Sequence, residues 1–270
     1  MKKLSLFLIA SIMSVVCLMS CIEGNNVQEG HGFGVLQYSP VSYTPMLNST
    51  VGPYSSPTIG GLISKGDMSI DNCYYFYYSL DLDLPENSYA SVQANGYYTV
   101  SLLDVKDIPT FYLRPYLTDT STMMFGEMAL YDGYESGNAY VDEYYFAAHI
   151  VNQPTTLELD WDLSYNSSDM QSVDASGRSY NLYIRAVKKN TTEKTNNELV
   201  QHVNAYMIRD FMKTAARMER NALGGNYSES SSRLNIRFNY VSDISEDGKL
   251  TWSSKKEENI YVGAFLSDDY

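Results

Sequence analysis

The side chains that could do chemistry are few in kind. Carboxylates dominate: Asp81 and Asp83 alternate with Leu80, Leu82 and Leu84, and Glu158, Asp160 and Asp162 alternate with Leu157, Leu159, Trp161 and Leu163. Two carboxylates facing a sugar at a fixed separation could hydrolyse a glycosidic bond, and several converging from loops could hold calcium. On a period-two segment they share one face of a strand, where plain solvation is the ordinary role of an acid. His31, His149 and His202 lie far apart and none stands in a zinc-ligand spacing. The sequence contains no nucleophile elbow, and the glycines and lysine of "TIGGLISKG" are wrongly spaced for a phosphate loop. The expectation is a protein without catalytic residues, metal or other cofactor.

Two further groups could bind rather than react. Trp161 and Trp252, among 25 tyrosines, could present a flat platform to sugar rings. Arg209, Lys213 and Arg217 recur every four residues and would line one side of a helix, ready to dock on an acidic surface.

The elements that must carry these residues begin at the N-terminus. Lys2 and Lys3 precede an apolar run from Leu4 to Met19, the pattern of a secretory signal and too short for a comfortable membrane span. Leu18-Met19-Ser20-Cys21 resembles the lipobox of bacterial lipoproteins. The resemblance implies cleavage after residue 20, a diacylglycerol on the Cys21 sulfur and an acyl chain on its amino group. Two or more chains anchor a protein stably where one does not. The partner so implied is a membrane of the cell envelope, the outer membrane first, with the periplasmic or surface side left open. Residues 21–40, polar and rich in Gly and Asn, read as the lipidated cysteine followed by a flexible tether.

With the signal removed, the chain carries 17 basic and 32 acidic residues. That balance opposes nucleic acid and anionic membrane faces as partners. The charge is uneven: Ile22–Gly177 has 3 basic and 20 acidic residues, Arg178–Arg220 has 9 and 4. The basic segment could pack on the chain's own acidic part or receive an acidic partner. After acylation of Cys21 only Cys73 remains in the mature chain, so an intrachain disulfide is not expected and Cys73 reads as a small buried residue.

Aromatic and β-branched runs broken by Gly, Asn, Asp and Pro predict strands and turns. "CYYFYYSLDLDL" (residues 73–84), "DEYYFAAHIVNQP" (142–154), "TLELDWDLSY" (156–165), "SRLNIRFNYVSDISEDGKLTWSS" with a turn at Asp247-Gly248, and "NIYVGAFL" (259–266) all read so. "LDLDLPENS…SVQANG" and "LDWDLSYNS…SVDASG" match in order about 80 residues apart, which suggests a repeated strand–turn–strand unit, by duplication or by coincidence of hairpin chemistry. A helix is expected over about 193–223, with Val200, Val203, Met207, Phe211, Ala215, Met218 and Ala222 as its apolar stripe and Gly224-Gly225 as its stop. The prolines of "VKDIPTFYLRPYL" mark a boundary. The expected fold is mainly β, with antiparallel sandwich or barrel-like domains at 41–110 and 111–270 and one long helix late in the second.

The lipobox together with "YYFYYSLDLDLPENSYASVQANGYYTVSLLDVKDI" and "RLNIRFNYV" resembles the NigD-like lipoproteins of Bacteroidetes. That resemblance implies a small barrel-like first domain and a β-sandwich second, without implying an activity. Three functional readings follow: binding of an envelope protein or a glycan without catalysis; a structural or assembly role through the basic stripe; and, as a minor reading, a carboxylate-based glycan hydrolase.

Overall fold

The structure is a computed structural model that describes residues 26–115, 124–125, 128–131, 140–154, 157–174, 177–189, 197–226, 233–247, 249–254 and 258–261. The signal at 1–20 and Cys21 lie outside the described residues. The chain divides into two compact units, one running to Pro109 together with Gly133–Asp142, the other Thr110–Asp132 with Glu143–Tyr270.

The first unit is built from β1 (Val27–Tyr38), β2 (Pro45–Ser49), β3 (Gly52–Ser55), helix α1 (Ile59–Lys65), β4 (Cys73–Asp81), helix α2 (Tyr89–Asn95), β5 (Tyr98–Thr99) and β6 (Ser101–Ile108). The strands are ordered β5-β3-β2-β1-β4-β6. The long β1 pairs with β4 through Val27–Val35 and with β2 through Gly34–Tyr38. β5 lies parallel to β3 and β6 antiparallel to β4. These two edge strands are one segment interrupted only by Val100, so the sheet closes on itself as a small barrel. Leu36, Leu47, Tyr74 and Phe76 fill it, and Ile59 of α1 joins the same core.

Most of the expected tether is therefore strand: β1 begins at Val27. The glycines that suggest a loop sit at Gly30, Gly32 and Gly34, a period of two. A Cβ on Gly30 would meet Tyr78 at 2.8 Å, one on Gly32 would meet Val51 at 2.6 Å, and one on Gly34 would meet the Asn48 carbonyl at 2.7 Å. They are positions of close approach, where a barrel this narrow admits no side chain. Between them His31 and Phe33 alternate, with His31 half-buried beside Tyr75 and Tyr77.

The second unit holds β7 (Thr110–Pro115), β8 (Met124–Phe125) and β9 (Met128–Tyr131). The two-residue strand β10 (Tyr140–Val141) falls within the span of the first unit, and the second continues with β11 (Tyr144–Pro154), β12 (Leu159–Tyr165), β13 (Gln171–Asp174), β14 (Gly177–Lys188), β15 (Asn197–Met207) and helix α3 (Arg209–Leu223). It ends with β16 (Arg233–Ile244), β17 (Leu250–Ser254) and β18 (Glu258–Tyr261). Its sheet runs β11-β15-β7-β12-β14-β16-β17. The sheet is mixed rather than purely antiparallel, since β7 is parallel to both β15 and β12, and β14 is parallel to β16. Phe146, Leu163, Leu182, Ile184 and Phe238 are buried, and Tyr145 stacks on Phe238 at 4.0 Å.

The late helix is shorter than expected. Residues 197–207 form β15, paired with β11 over eleven residues from Asn197 to Met207. The helical spacing of Val200, Val203 and Met207 was a coincidence on a segment whose β-branched and aromatic residues are better served by a long partner strand. From Arg209 the helix holds, with Phe211, Met212, Ala215 and Ala216 buried and Gly224 stopping it. Glu219 fixes its last turn. Arg178 of β14 grips the carboxylate from two nitrogens at 3.0 and 3.1 Å, and the Tyr180 hydroxyl donates to it at 2.7 Å.

The two similar sequence stretches are not equivalent in structure. "SVQANG" ends helix α2, while the "SVD" of the second stretch lies in strand β13. Leu82 and Leu84 also lie beyond the end of β4 and are exposed, whereas Leu163 is buried.

Candidate functional site

Two loops of the barrel meet, the one between β1 and β2 (residues 39–44) and the longer one between β4 and β5 (82–97), although they leave opposite ends of the β1–β4 pair. Ser39, fully buried, organises the first. Its hydroxyl donates to the Asn95 carbonyl at 2.6 Å and accepts from the backbone N–H of Val41 and Ser42. The Ser42 hydroxyl reaches the same carbonyl at 2.9 Å. Gly96 (φ 79°) passes so close that a Cβ there would stand 2.8 Å from the Ser39 hydroxyl. The second loop is equally determined. Buried Asn87 donates to the carbonyls of Asp81 and Thr99 and accepts from the Thr99 N–H, while Ser88 caps α2.

This tied pair of loops displays aromatic rings. Tyr43 is 79% exposed and Tyr89 81% exposed, with Tyr38 and Val41 also half open to solvent. Tyr43 is held at φ 57°, a left-handed conformation that a bulky residue adopts only under constraint. Its N–H donates to the Ser39 carbonyl, and the Ser39 N–H donates to the Thr44 carbonyl, which together impose the turn. Strain of this kind persists where surroundings over-determine it. The charged groups of the long loop are Asp83 and Glu86, with Asp81 at its root, all acidic.

The residues singled out from sequence are distributed otherwise. Trp161, 3% exposed, is stacked on His149 at 4.3 Å and is closed to a sugar, which corrects its reading as a platform. Its strand has neighbours on both faces, so alternation did not leave the ring outside. Trp252 of β17 is half-buried, edge-on to Tyr183 at 4.9 Å. Arg209 is paired with Glu143, Lys213 is half-buried and Arg217 is exposed, so the basic stripe is not uniformly open. Asp162 is buried with Arg114 at 3.3 Å rather than solvated. Cys73 is buried. His149 and His202, distant in sequence, are direct partners across β11 and β15. Among the described residues no cluster of His, Cys, Asp and Glu is suited to a metal ion, and no helix is long and apolar enough to cross a membrane. The exposed tyrosines were missed because "SPVSYT" and "ENSYAS" carry no periodic signal, and a left-handed tyrosine leaves no trace in sequence.

A closed five-stranded-type barrel with a helix between its third and fourth strands, here with the last strand broken at Val100, is the OB architecture. Residues 24–106 match the family model described as the lipoprotein OB domain. The match spans the barrel of the first unit and begins three residues after Cys21.

Solved structures extend the likeness over both units. An uncharacterized protein from Parabacteroides merdae superposes with a TM-score of 0.65 at 16% identity, over 86% of this chain and 99% of that one. A protein of unknown function from Bacteroides vulgatus gives 0.51 at 15% identity, over 85% and 90%. A NigD-like immunity protein from Bacteroides caccae gives 0.40 at 9% identity, over 86% and 95%, too loose to carry an argument. At these identities the shared feature is the fold. No curated protein sequence matches the chain.

Proposed function

We propose that this is a non-enzymatic binding lipoprotein, acylated at Cys21 and held on the outer membrane, which takes a neutral glycan at the tied loops of its OB unit. The observation that carries the reading is the pair of exposed tyrosines, Tyr43 and Tyr89, on loops locked together through Ser39 and Asn95. Aromatic faces stack on the apolar faces of sugar rings, and a preformed loop pair loses little entropy on binding.

Charge selects among the ligands an OB barrel can hold. Such barrels bind oligonucleotides or oligosaccharides at these loops. Residues 26–109 include Lys65 and Lys106 as their only basic side chains against eight acidic ones. Phosphate backbones need cationic neutralisation to bind, so nucleic acid and anionic polysaccharides are disfavoured. Asp83 and Glu86 could instead accept hydrogen bonds from sugar hydroxyls.

The test is affinity electrophoresis of the mature chain in gels containing neutral glucans, xylans or mannans, with nucleic acid and anionic polysaccharide as controls. Retardation by a neutral glycan, lost in Tyr43→Ala and Tyr89→Ala, supports the reading. Retardation by the anionic polymers alone would overturn it.

A further inference from the structure

The second unit sets two histidines side by side, His149 buried and His202 half-buried, and the site proposed for the first unit makes no use of them. His149 of β11 and His202 of β15 are register partners, and both rings lie against Trp161 of β12: His149 stacked at 4.3 Å, His202 tilted at 5.3 Å. His149 is fully buried. Tyr206 lies beyond it, with its hydroxyl 2.8 Å from His149 Nε2 and accepting from the Asn204 amide at 3.1 Å.

These contacts suit one placement of the protons. The Tyr206 oxygen accepts from Asn204, and its own hydrogen can be donated to His149 Nε2, an arrangement in which that nitrogen is unprotonated. The ring hydrogen sits on Nδ1, which meets no hydrogen-bond partner among the described residues. His202 differs. Its Nε2 donates to the Gln153 side-chain oxygen at 3.0 Å, an orientation set by the Gln153 amide donating to the Leu157 carbonyl at 2.8 Å.

We propose that His149 and His202, clamped on Trp161, form an acid-sensitive latch that keeps β11 and β15 paired at neutral pH and releases them as the imidazoles take up protons. A second proton on His149 would place a hydrogen on Nε2 opposite the hydrogen of Tyr206, and would leave a buried cation facing another imidazole. Among the described residues no carboxylate is hydrogen-bonded or ion-paired to either imidazole. From β15 the titratable groups are Glu198, exposed and opposite Gln153, with His202 and Tyr206; from β12 Asp160 and Asp162 flank Trp161, Asp162 being paired with Arg114 of β7; and on β9 the register partner of His149 is Leu130. Burial, then the charge of His202, pushes His149 down to about 3, and burial lowers His202.

Both folded values lie below that of a free imidazole, near 6.5. The stabilisation is complete above that pH and is lost as pH falls from about 6.5 towards 3. For His149 the closed-to-open ratio falls by up to about tenfold per pH unit in that window, and His202, lowered by burial, acts in the same direction.

Hydrogen–deuterium exchange of the mature chain at pH 7.5 and pH 5, corrected for intrinsic rates, tests the latch. Peptides from β11 and β15 are expected to lose protection at pH 5 while β4 of the OB unit does not, and His149→Gln is expected to flatten the difference. Unchanged protection in the wild type, or the same pH dependence in His149→Gln, would overturn the proposal. Should His149→Gln fail to fold, Trp252→Phe leaves Trp161 as the single indole. Its emission should then be quenched by imidazolium as pH falls below 6.5, and emission constant to pH 4 would count against the latch.

Discussion

The Ser39 hydroxyl donates to the carbonyl of Asn95 across 56 residues of sequence, at 2.6 Å, and so joins the β1–β2 and β4–β5 loops of the OB barrel. Ser39 is fully buried and also receives the N–H groups of Val41 and Ser42. Ser39→Ala strands those two donors and frees one end of the tie. A loss of about 1–3 kcal/mol in urea unfolding is expected, with faster exchange at residues 41–43 and weaker glycan retardation. An unchanged unfolding midpoint would show that the tie does not hold the loops.

Gly34 separates a tether from a barrel strand. In a tether, Gly34→Ala would be harmless. In β1, the added Cβ stands 2.7 Å from the Asn48 carbonyl, and neither backbone can move without disturbing the β1–β2 ladder. Overpacking of this kind costs about 1–3 kcal/mol, which thermal melting would register as a clear drop in Tm.

Glu219 predicts an acid limb in the stability of the second unit. Burial alone would raise its carboxyl, but the hydrogen bonds from Arg178 and Tyr180 outweigh that and hold it below the usual carboxylate value of 4.5. A carboxyl lowered on folding contributes stability above its unfolded value, and that contribution is lost as pH falls through the folded one. Glu219→Gln should cost about 2–3 kcal/mol at pH 7, with a smaller difference from wild type at pH 3. Equal stability of the two proteins at pH 7 would show that the grip of Arg178 on α3 contributes nothing.

Much of the fold was legible because strands announce themselves by period. Residues 144–154, 159–165 and 233–254 are strands and a hairpin where alternation and the Asp247 turn place them. Two departures share a cause, which is that the deciding partner is distant in sequence. Gly30, Gly32 and Gly34 alternate as a strand should, yet their identity suggested a loop, because nothing local reveals that Tyr78, Val51 and Asn48 press on them. Val200, Val203 and Met207 fit a helix, yet β11 offers an eleven-residue ladder that only the folded chain reveals.

The site was less legible than the fold. Trp161 was a reasonable sugar platform until its partner His149 came into contact from another strand. Tyr43 had no claim on attention, since its exposure and its left-handed backbone both depend on Ser39 and Thr44. Ring exposure and strain are properties of the loop pair, and the pairing joins residues more than fifty positions apart.

Tyr43→Gly is the most direct test of the account. Glycine accepts φ 57° without the penalty of about 1–2 kcal/mol that a left-handed side chain carries, and the lost ring was mostly in solvent. The prediction is a protein more stable than wild type by about 0.5–1 kcal/mol that no longer binds neutral glycan. A variant that retains full glycan binding would contradict the assignment of Tyr43, and with it the placement of the ligand on these loops.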